Sequence, residues 1–581
     1  MHDDELNQLK QAAKSDWSKV QPEIFGTIFQ HSMEEKERHA FGAHFTSPVD
    51  IMKIIGPTIV EPWRKLIEEA KTSKRLAELR KRLEHLQVLD PACGSGNFLY
   101  IAYREMKRLE ARIFERMNEL SSRGDTVQRQ ISFVTAAQFH GIDINPFAVE
   151  LAKVTMMIAR KLAIDELHIS EKPLPLDNLD GNFLAMDALI DAEGKQAKWP
   201  KADVIIGNPP FLDARKMTLE HGEKYVAKLE KAYPKVARRC DLCVYWFRKA
   251  HDHLPECAPN DPVAGRAGLV GTQNVRNNEA REAGLGHVAS SGTIVEAVEN
   301  QPWSGEANVH VSIANWVKRL PTDSRFTKRE LANLENQLLI PDKRRLWFKT
   351  PAELGIKKPR KRGDLPASEV YDLSFRECEH INSSLSDKTD LADAKVLTAN
   401  REPKRCFEGQ QPGHKGFRIG KQEYRKLPRD ERKVVLPYLN ATGLLTGGLE
   451  RKPEYIIDFG TRDILEAAGF PKALKIVQER VLSKWQSNAA AEQVRTGRET
   501  GEHQRRLGQW WQLKRRRGEL LRTISPAKRY IVCSRVTKRP VFVFLCTTVR
   551  PDSSLTAFAF PDDYSFGILQ SNTHWQWFIA K

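Results

Sequence analysis

Asn208-Pro-Pro-Phe211 directly follows the apolar run Asp203-Val-Ile-Ile-Gly207. The two prolines fix φ and remove two N–H donors, so carbonyl groups are left free at the end of a buried strand. The Asn208 side-chain oxygen and the Pro209 carbonyl can then both accept from one NH₂ group. An exocyclic amine conjugated to a purine is a poor nucleophile, because its lone pair is delocalised. Two acceptors draw it toward tetrahedral geometry and restore that lone pair. No general base is needed before an electrophile is attacked in line. Pro210 completes the turn, and Phe211 offers an aromatic face for an extruded base. Pro-Pro alone would merely end a strand; Asn-Pro-Pro-Phe after an apolar strand is more specific.

A second constellation lies upstream. Val88-Leu-Asp-Pro-Ala-Cys-Gly-Ser-Gly-Asn-Phe-Leu99 reads as a strand ending at Asp90, a turn through Pro91, Gly94 and Gly96, and a helix. Glycine is needed where backbone adopts φ > 0 or approaches a ligand. An acid at a strand's carboxyl end can take hydrogen bonds from a ligand ammonium. Leu99 stands where the dinucleotide fingerprint has its third glycine, which argues against nicotinamide or flavin. Asp143, in His140-Gly-Ile-Asp-Ile-Asn-Pro146, sits at the end of a second strand, where an acid can accept from ribose hydroxyls. Taken alone, it is equally well a loop acid facing solvent.

These residues need a framework of strands and helices. Apolar runs predict strands over Gln87–Asp90, Phe139–Ile144, Asp203–Gly207 and Ala267–Thr272, with helices over Asn97–Met117 and Pro146–Leu162. Residues 1–40 and Val49–Glu84 read as helical. Alternating strands and helices predict a mostly parallel, doubly wound α/β sheet. Beyond residue 320 the pattern weakens. Lys357–Asp364 reads as a basic surface loop. Tyr455–Phe459, Tyr530–Val532 and Val541–Leu545 read as strands of a second domain, α+β or mostly β, which begins between 370 and 435.

The chain has 581 residues and a formal net charge of +17. Its length requires more than one core, and the charge favours a polyanionic partner. The acidic start MHDDELNQLK lacks the apolar stretch of a secretory signal. No apolar run reaches the ~20 residues of a membrane span. Eight scattered cysteines suit reduced thiols in a cytoplasm, bacterial or archaeal, better than a disulfide framework.

Together, DPACGSG and NPPF resemble the amino-methylating DNA methyltransferases of the gamma arrangement. There the cofactor motif precedes the catalytic motif and the recognition domain comes last. More closely, the chain resembles the methyltransferase and target-recognition part of MmeI-like (type IIG/IIL) restriction–modification enzymes. GAHFTSPVDI at 42–51, GIDINPFAVELAKVT at 141–155, NFLAMDAL at 182–189, QPWSGEANVHVSIANWVK at 301–318 and VLPYLNATGLL at 435–445 carry the likeness. RYIVCSRVTKRPVFVF at 529–544 and DDYSFGILQSNTHWQWF at 562–578 extend it. The resemblance implies S-adenosyl-L-methionine as cofactor and a Rossmann-like class I methyltransferase sheet with helices on both faces. It implies a helical segment 1–40, a methyltransferase domain 41–385 and an α+β target-recognition domain 386–581. Phe45 and Thr46 would contact the methionine end. Asp90, Pro91, Gly94 and Gly96 would form the cofactor turn, Asp143 would hold the ribose, and Asp187 would accept from the cofactor adenine. Asn208, Pro209, Pro210 and Phe211 would form the catalytic loop. Thr46 could instead cap the helix at Pro48, and Asp187 could be a turn acid.

The implied partner is double-stranded DNA, whose adenine would be methylated at N6. A separate nuclease or completing chain is a further expected partner, since relatives carry a nuclease domain before the methyltransferase. The end, His574-Trp-Gln-Trp-Phe-Ile-Ala-Lys581, reads as an apolar element cut short. Two other classes stay open: a DNA-binding specificity protein left inactive by truncation, and an amino-methyltransferase acting on RNA or protein.

Residues 501–550 hold Arg505, Arg506, Lys514, Arg515, Arg516, Arg517, Arg522, Lys528, Arg529, Arg535, Lys538, Arg539 and Arg550 against Glu502 and Glu519. Such a run suits phosphate contacts. Trp510 and Trp511 within it read as core residues. Cys240-Asp-Leu-Cys243, near His251, His253 and Cys257, is better explained by a buried helix than by zinc, so no metal is expected. Asp191 with Glu193-Gly-Lys195 is read as a polar loop, not a nuclease.

Overall fold

The computed structural model describes residues 46–120, 132–167, 179–303, 310–319, 327–349, 373–388, 397–497, 499–537 and 540–580. Phe45, residues 1–40, Lys357–Asp364, Lys538 and Arg539 lie outside these. The chain forms two compact units, Met1–Asp390 and Leu391–Lys581.

The first unit is a nine-stranded sheet: β1 (Val88–Asp90), β2 (Phe139–Asp143), β3 (Phe183–Ala185), β4 (Val204–Gly207), β5 (Arg266–Thr272), β6 (Thr293–Pro302), β7 (His310–Val317), β8 (Arg344–Lys349) and β9 (Leu373–Cys378). The order is β3-β2-β1-β4-β5-β7-β6-β8-β9. The pairs β2–β3, β1–β2, β1–β4 and β4–β5 are parallel, and β7 runs antiparallel to both β5 and β6. After β1 the chain winds outward through β2 and β3, then returns to lay β4 on the other side of β1. That reversal opens a crevice at the carboxyl ends of β1 and β4, where doubly wound sheets bind ligands.

Helices cover both faces. They are α1 (Pro48–Ile55), α2 (Glu61–Glu69), α3 (Ser73–Glu84), α4 (Asn97–Leu120), α5 (Pro146–Leu167), α6 (Ala214–Ala232) and α7 (Cys243–His253). Side chains alternate across the pleat. Val88, Val204, Ile206 and Val270 join a core with α1 to α5. Leu89, Ile205, Ala267 and Leu269 join the opposite core with α6 and α7. Being buried on both faces, the central strands are continuous apolar runs, and this is why they stand out in the sequence.

Two features depart from the sequence reading. The helical stretch 49–84 is broken near Ala70, and Thr72 caps α3 by accepting from Arg75 N–H at 3.2 Å. Strand β3, only three residues long, has no counterpart among the expected strands, nor does the extension of the sheet through β6 to β9. Among the described residues, no helix is long and apolar enough to cross a membrane.

The second unit has β10 (Cys406–Glu408), β11 (Arg418–Gly420), β12 (Val435–Leu439), β13 (Glu454–Ile457), β14 (Arg529–Ser534), β15 (Val543–Cys546), β16 (Arg550–Pro551) and β17 (Leu555–Phe558). They form two four-stranded sheets, β10-β17-β14-β15 and β11-β13-β12-β16, with helices between them in sequence. Trp510 and Trp511 pack against the core built from Phe417, Ile456, Phe459 and Trp485. The apolar end of the chain forms two short helices, Asp563–Gln570 and Asn572–Ala580.

Candidate active site

Strand β4 delivers the Asn208 motif. Val204 to Gly207 are all buried, and Asn208-Pro-Pro-Phe211 leaves the sheet as an irregular loop. The Asn208 amide nitrogen donates to Thr46 Oγ1 at 3.3 Å. That contact fixes the amide plane. Its Oδ1 is buried with no hydrogen-bond partner among the described residues. A buried acceptor without a donor is costly, so this atom fits a ligand amine. Thr46 does not cap α1; the neighbouring Ser47 does, accepting from Asp50 N–H at 3.2 Å. Phe211 is half-buried and touches both cores.

Strand β1 delivers Asp90, fully buried. Its Oδ1 accepts from Ala92 N–H at 3.0 Å, while Oδ2 is buried without a partner among the described residues. Burial, reinforced by the nearby Asp143 carboxylate, pushes this carboxyl up to about 8. The Pro91 carbonyl is held by Trp246 Nε1 of α7 at 3.1 Å. The two turn glycines serve different ends. Gly94 has φ +51 and open space where a side chain would stand. Gly96 has φ +86 and packs on α5, where a Cβ would meet that of Ala152 at 3.1 Å.

Asp143 ties the β1 and β2 turns together. It accepts from Gly94 N–H at 3.0 Å and from Asn145 N–H at 2.9 Å. Its pKa is raised, mainly by burial. Its carbonyl accepts from Met186 N–H at 2.9 Å, which brings in the loop after β3. There Asp187 accepts from Leu189 N–H at 2.7 Å. The rest of that loop is anchored from behind. Lys249 Nζ donates to the Ala188 and Ala197 carbonyls at 2.7 and 2.6 Å, and Tyr233 donates to the Leu189 carbonyl at 2.9 Å. Burial pushes the Lys249 ammonium down to about 7. Asp90, Gly94, Asp143, Asp187 and Asn208 thus all stand at carboxyl ends of neighbouring strands. Phe45 is outside the described residues.

Gly207 escaped the sequence reading. A Cβ there would lie 2.5 Å from Asp90 Oδ1, so only glycine lets β4 pass the buried carboxylate. A glycine at a strand end is the available signal for such an approach. Gly207→Ala is expected to destabilise the unit by about 1–3 kcal/mol, the usual overpacking cost, and to displace Asp90. A drop in the thermal midpoint checks this; an unchanged midpoint and unchanged ligand affinity would count against the close contact.

The decoys resolve into ordinary packing. His251 lies between Ser291 Oγ at 2.8 Å and Trp316 Nε1 at 3.1 Å, and His253 Nε2 meets the Pro200 carbonyl at 2.7 Å. Cys243 is buried in α7. Glu193-Gly-Lys195 is an exposed turn with Gly194 at φ +79, closed by a Lys195–Glu193 ion pair at 2.7 Å. Among the described residues, no group of three or more His, Cys, Asp or Glu could hold a metal ion.

Known proteins resemble this chain. "DNA methyltransferase A" of Bacillus subtilis is 33% identical over 238 residues, covering 40% of this chain and 26% of its own length. "Adenine-specific methyltransferase PglX" of Streptomyces coelicolor is 26% identical over 231 residues, covering 35% of this chain and 18% of its own. The chain therefore spans about a quarter or less of these curated relatives. The solved structure of the type IIL restriction-modification enzyme MmeI in complex with DNA superposes with a TM-score of 0.65 at 20% identity. That match covers 96% of this chain and 68% of that one, and it establishes a common fold. The family described as "MmeI, DNA-methyltransferase domain" matches residues 66–327, which span β1 to β7 and contain the Asp90 turn and the Asn208 loop. Residues 66–327, which carry both site motifs, are therefore similar to the DNA-methyltransferase domain of MmeI.

Proposed function

We propose that the chain is a site-specific DNA methyltransferase that moves a methyl group from S-adenosyl-L-methionine to N6 of adenine in double-stranded DNA (EC 2.1.1.72). It would serve a restriction–modification or related defence system. One observation carries this: the Asn208 and Asp90 side-chain oxygens, both buried with no hydrogen-bond partner among the described residues, stand at the ends of the paired strands β4 and β1. One suits an aromatic amine and the other an ammonium, which are the two polar ends such a reaction must hold together.

The fit to the cofactor rests on those orphaned atoms and on the open space over Gly94. Asp90 would take the cofactor's ammonium, Asp143 its ribose hydroxyls, and Asp187 its adenine amine. When bound, the cofactor supplies an electrophilic methyl on a sulfonium sulfur. Asn208 Oδ1 and the Pro209 carbonyl accept both protons of the target amine and hold its lone pair toward the donor side. Phe211 supplies a stacking face for the base outside the duplex. Extrusion costs a few kcal/mol of unstacking, offset by these contacts. Alignment of amine and donor is the main rate term.

Mass spectrometry of DNA from a methylation-free host expressing the chain tests the reading. N6-methyladenine at one recurring sequence is expected. N4-methylcytosine would overturn the adenine assignment, and unmodified DNA with active purified protein on RNA would overturn DNA as substrate.

The second unit is proposed as the DNA-gripping part. Its basic run is not uniform. Lys514, Arg516, Arg517, Arg529 and Arg535 are ion-paired. Arg505, Arg515, Arg522 and Lys528 are exposed and make no ion pair among the described residues. Replacing these four with alanine is expected to flatten the dependence of log affinity on log salt by about three to four units, near 0.9 for each phosphate no longer neutralised. An unaltered slope would place the DNA elsewhere.

A further inference from the structure

The element after the catalytic loop is interrupted. Within α6, Gly222 has φ 81 and ψ 161, so two helices meet at a kink. A side chain at Gly222 would meet open space; the glycine is there for its backbone conformation, not for room. His221 is the last residue before the break. Its imidazole stacks on Tyr225, with ring centroids 4.8 Å apart and planes inclined by 29°. Its Nε2 is buried and has no hydrogen-bond partner among the described residues.

Both rings feel Asp187. Burial lowers the His221 pKa, and the Asp187 carboxylate opposes that. Burial raises the Tyr225 hydroxyl, and the same carboxylate adds to the rise. The imidazole is therefore neutral at pH 7 and has one N–H to give. Two flat rings, a carboxylate whose charge reaches both, and a buried ring nitrogen with no partner among the described residues suit a purine. A buried ring nitrogen without a partner calls for an explanation, and a bound ligand supplies one.

We propose that His221 donates from Nε2 to the ring edge of the purine whose exocyclic amine Asp187 accepts, with Tyr225 fixing the plane of the imidazole. The adenine of the methyl donor is then held at two points, by the loop after β3 and by the helix that follows β4. This rests on the reading that Asp187 receives the cofactor adenine.

Isothermal titration of the full chain with S-adenosylhomocysteine tests it. H221L and H221Q are alike in bulk, and only glutamine keeps a donor at similar reach. H221L is expected to weaken binding about tenfold, the value of one hydrogen bond, with H221Q within about threefold of the parent. Equal affinities in H221L and H221Q, whether both weak or both parental, overturn the inference. D187A separates the two readings: parental affinity in D187A sinks the placement of adenine at Asp187 itself, whereas weak D187A beside parental H221L sinks only the role of His221.

Discussion

Asn208→Ala is expected to lower single-turnover methyl transfer by about two to three orders of magnitude or more, the usual cost of losing one preorganised polar group at the reacting atom. The Kd for S-adenosylmethionine should stay within about threefold. The asymmetry follows from where the atoms sit. Asn208 Oδ1 is buried and has no hydrogen-bond partner among the described residues, so none of these competes for the target amine, and no water replaces the acceptor cheaply. The cofactor side is built from other strands: Asp90 ends β1 and Asp143 ends β2. Among the described residues, the side-chain hydrogen bond the variant removes is the 3.3 Å contact to Thr46. Labelled methyl incorporation into DNA, beside calorimetric titration of the cofactor, reads both numbers. A methylation rate within tenfold of the parent would sink the role given to Asn208.

The central strands could be read from the sequence because nothing long-range disguises them. β1, β4 and β5 are buried on both faces, and β1 and β4 run into proline-containing turns. β3 could not, since Phe183-Leu-Ala is three residues with one fully buried, and only pairing with β2 makes it a strand. β6 was hidden by polar residues that tertiary partners satisfy. Glu296 is buried against Arg345 and Trp347, and Gln301 donates to Asp50. Those partners lie some fifty or more positions away in the chain, beyond any local pattern. The site divides in the same way. Motif residues are short-range signals. The Asn208–Thr46 contact spans 162 positions, and Ser47, not Thr46, caps α1. The basic run of the second unit looked weakly opposed because two of the acids it pairs with, Glu408 and Asp458, sit far upstream of Arg517 and Arg516.

Cofactor binding is expected to expel a proton, and its pH profile should be bell-shaped with a maximum near pH 8. In the free protein the Asp90 carboxyl is pushed up to about 8 by burial and by Asp143, so at pH 7 it is mostly neutral. An ammonium placed against it favours the ionised form. Below about pH 8, affinity should therefore rise roughly tenfold per pH unit as the proton no longer has to be displaced. Above it, an α-amino group with a pKa of about 7.7–8.0 loses its own charge, and affinity falls again. The stability sign agrees. A carboxyl raised on folding contributes stability below its unfolded value, and that stability is lost as pH rises through about 8, so the thermal gain from added cofactor should be larger at pH 8 than at pH 6. Asp90→Asn keeps the shape and removes the titration. Its affinity should be weaker at pH 8 and lack the acid-side slope, leaving only the alkaline fall. Calorimetry at pH 7 in buffers of different ionisation enthalpy should count close to one proton released per site in the parent and far less in the variant. A pH-independent affinity with no net proton release would mean that the Asp90 carboxyl does not face the ammonium, and with it the placement of the methyl donor over the β1 turn would fall.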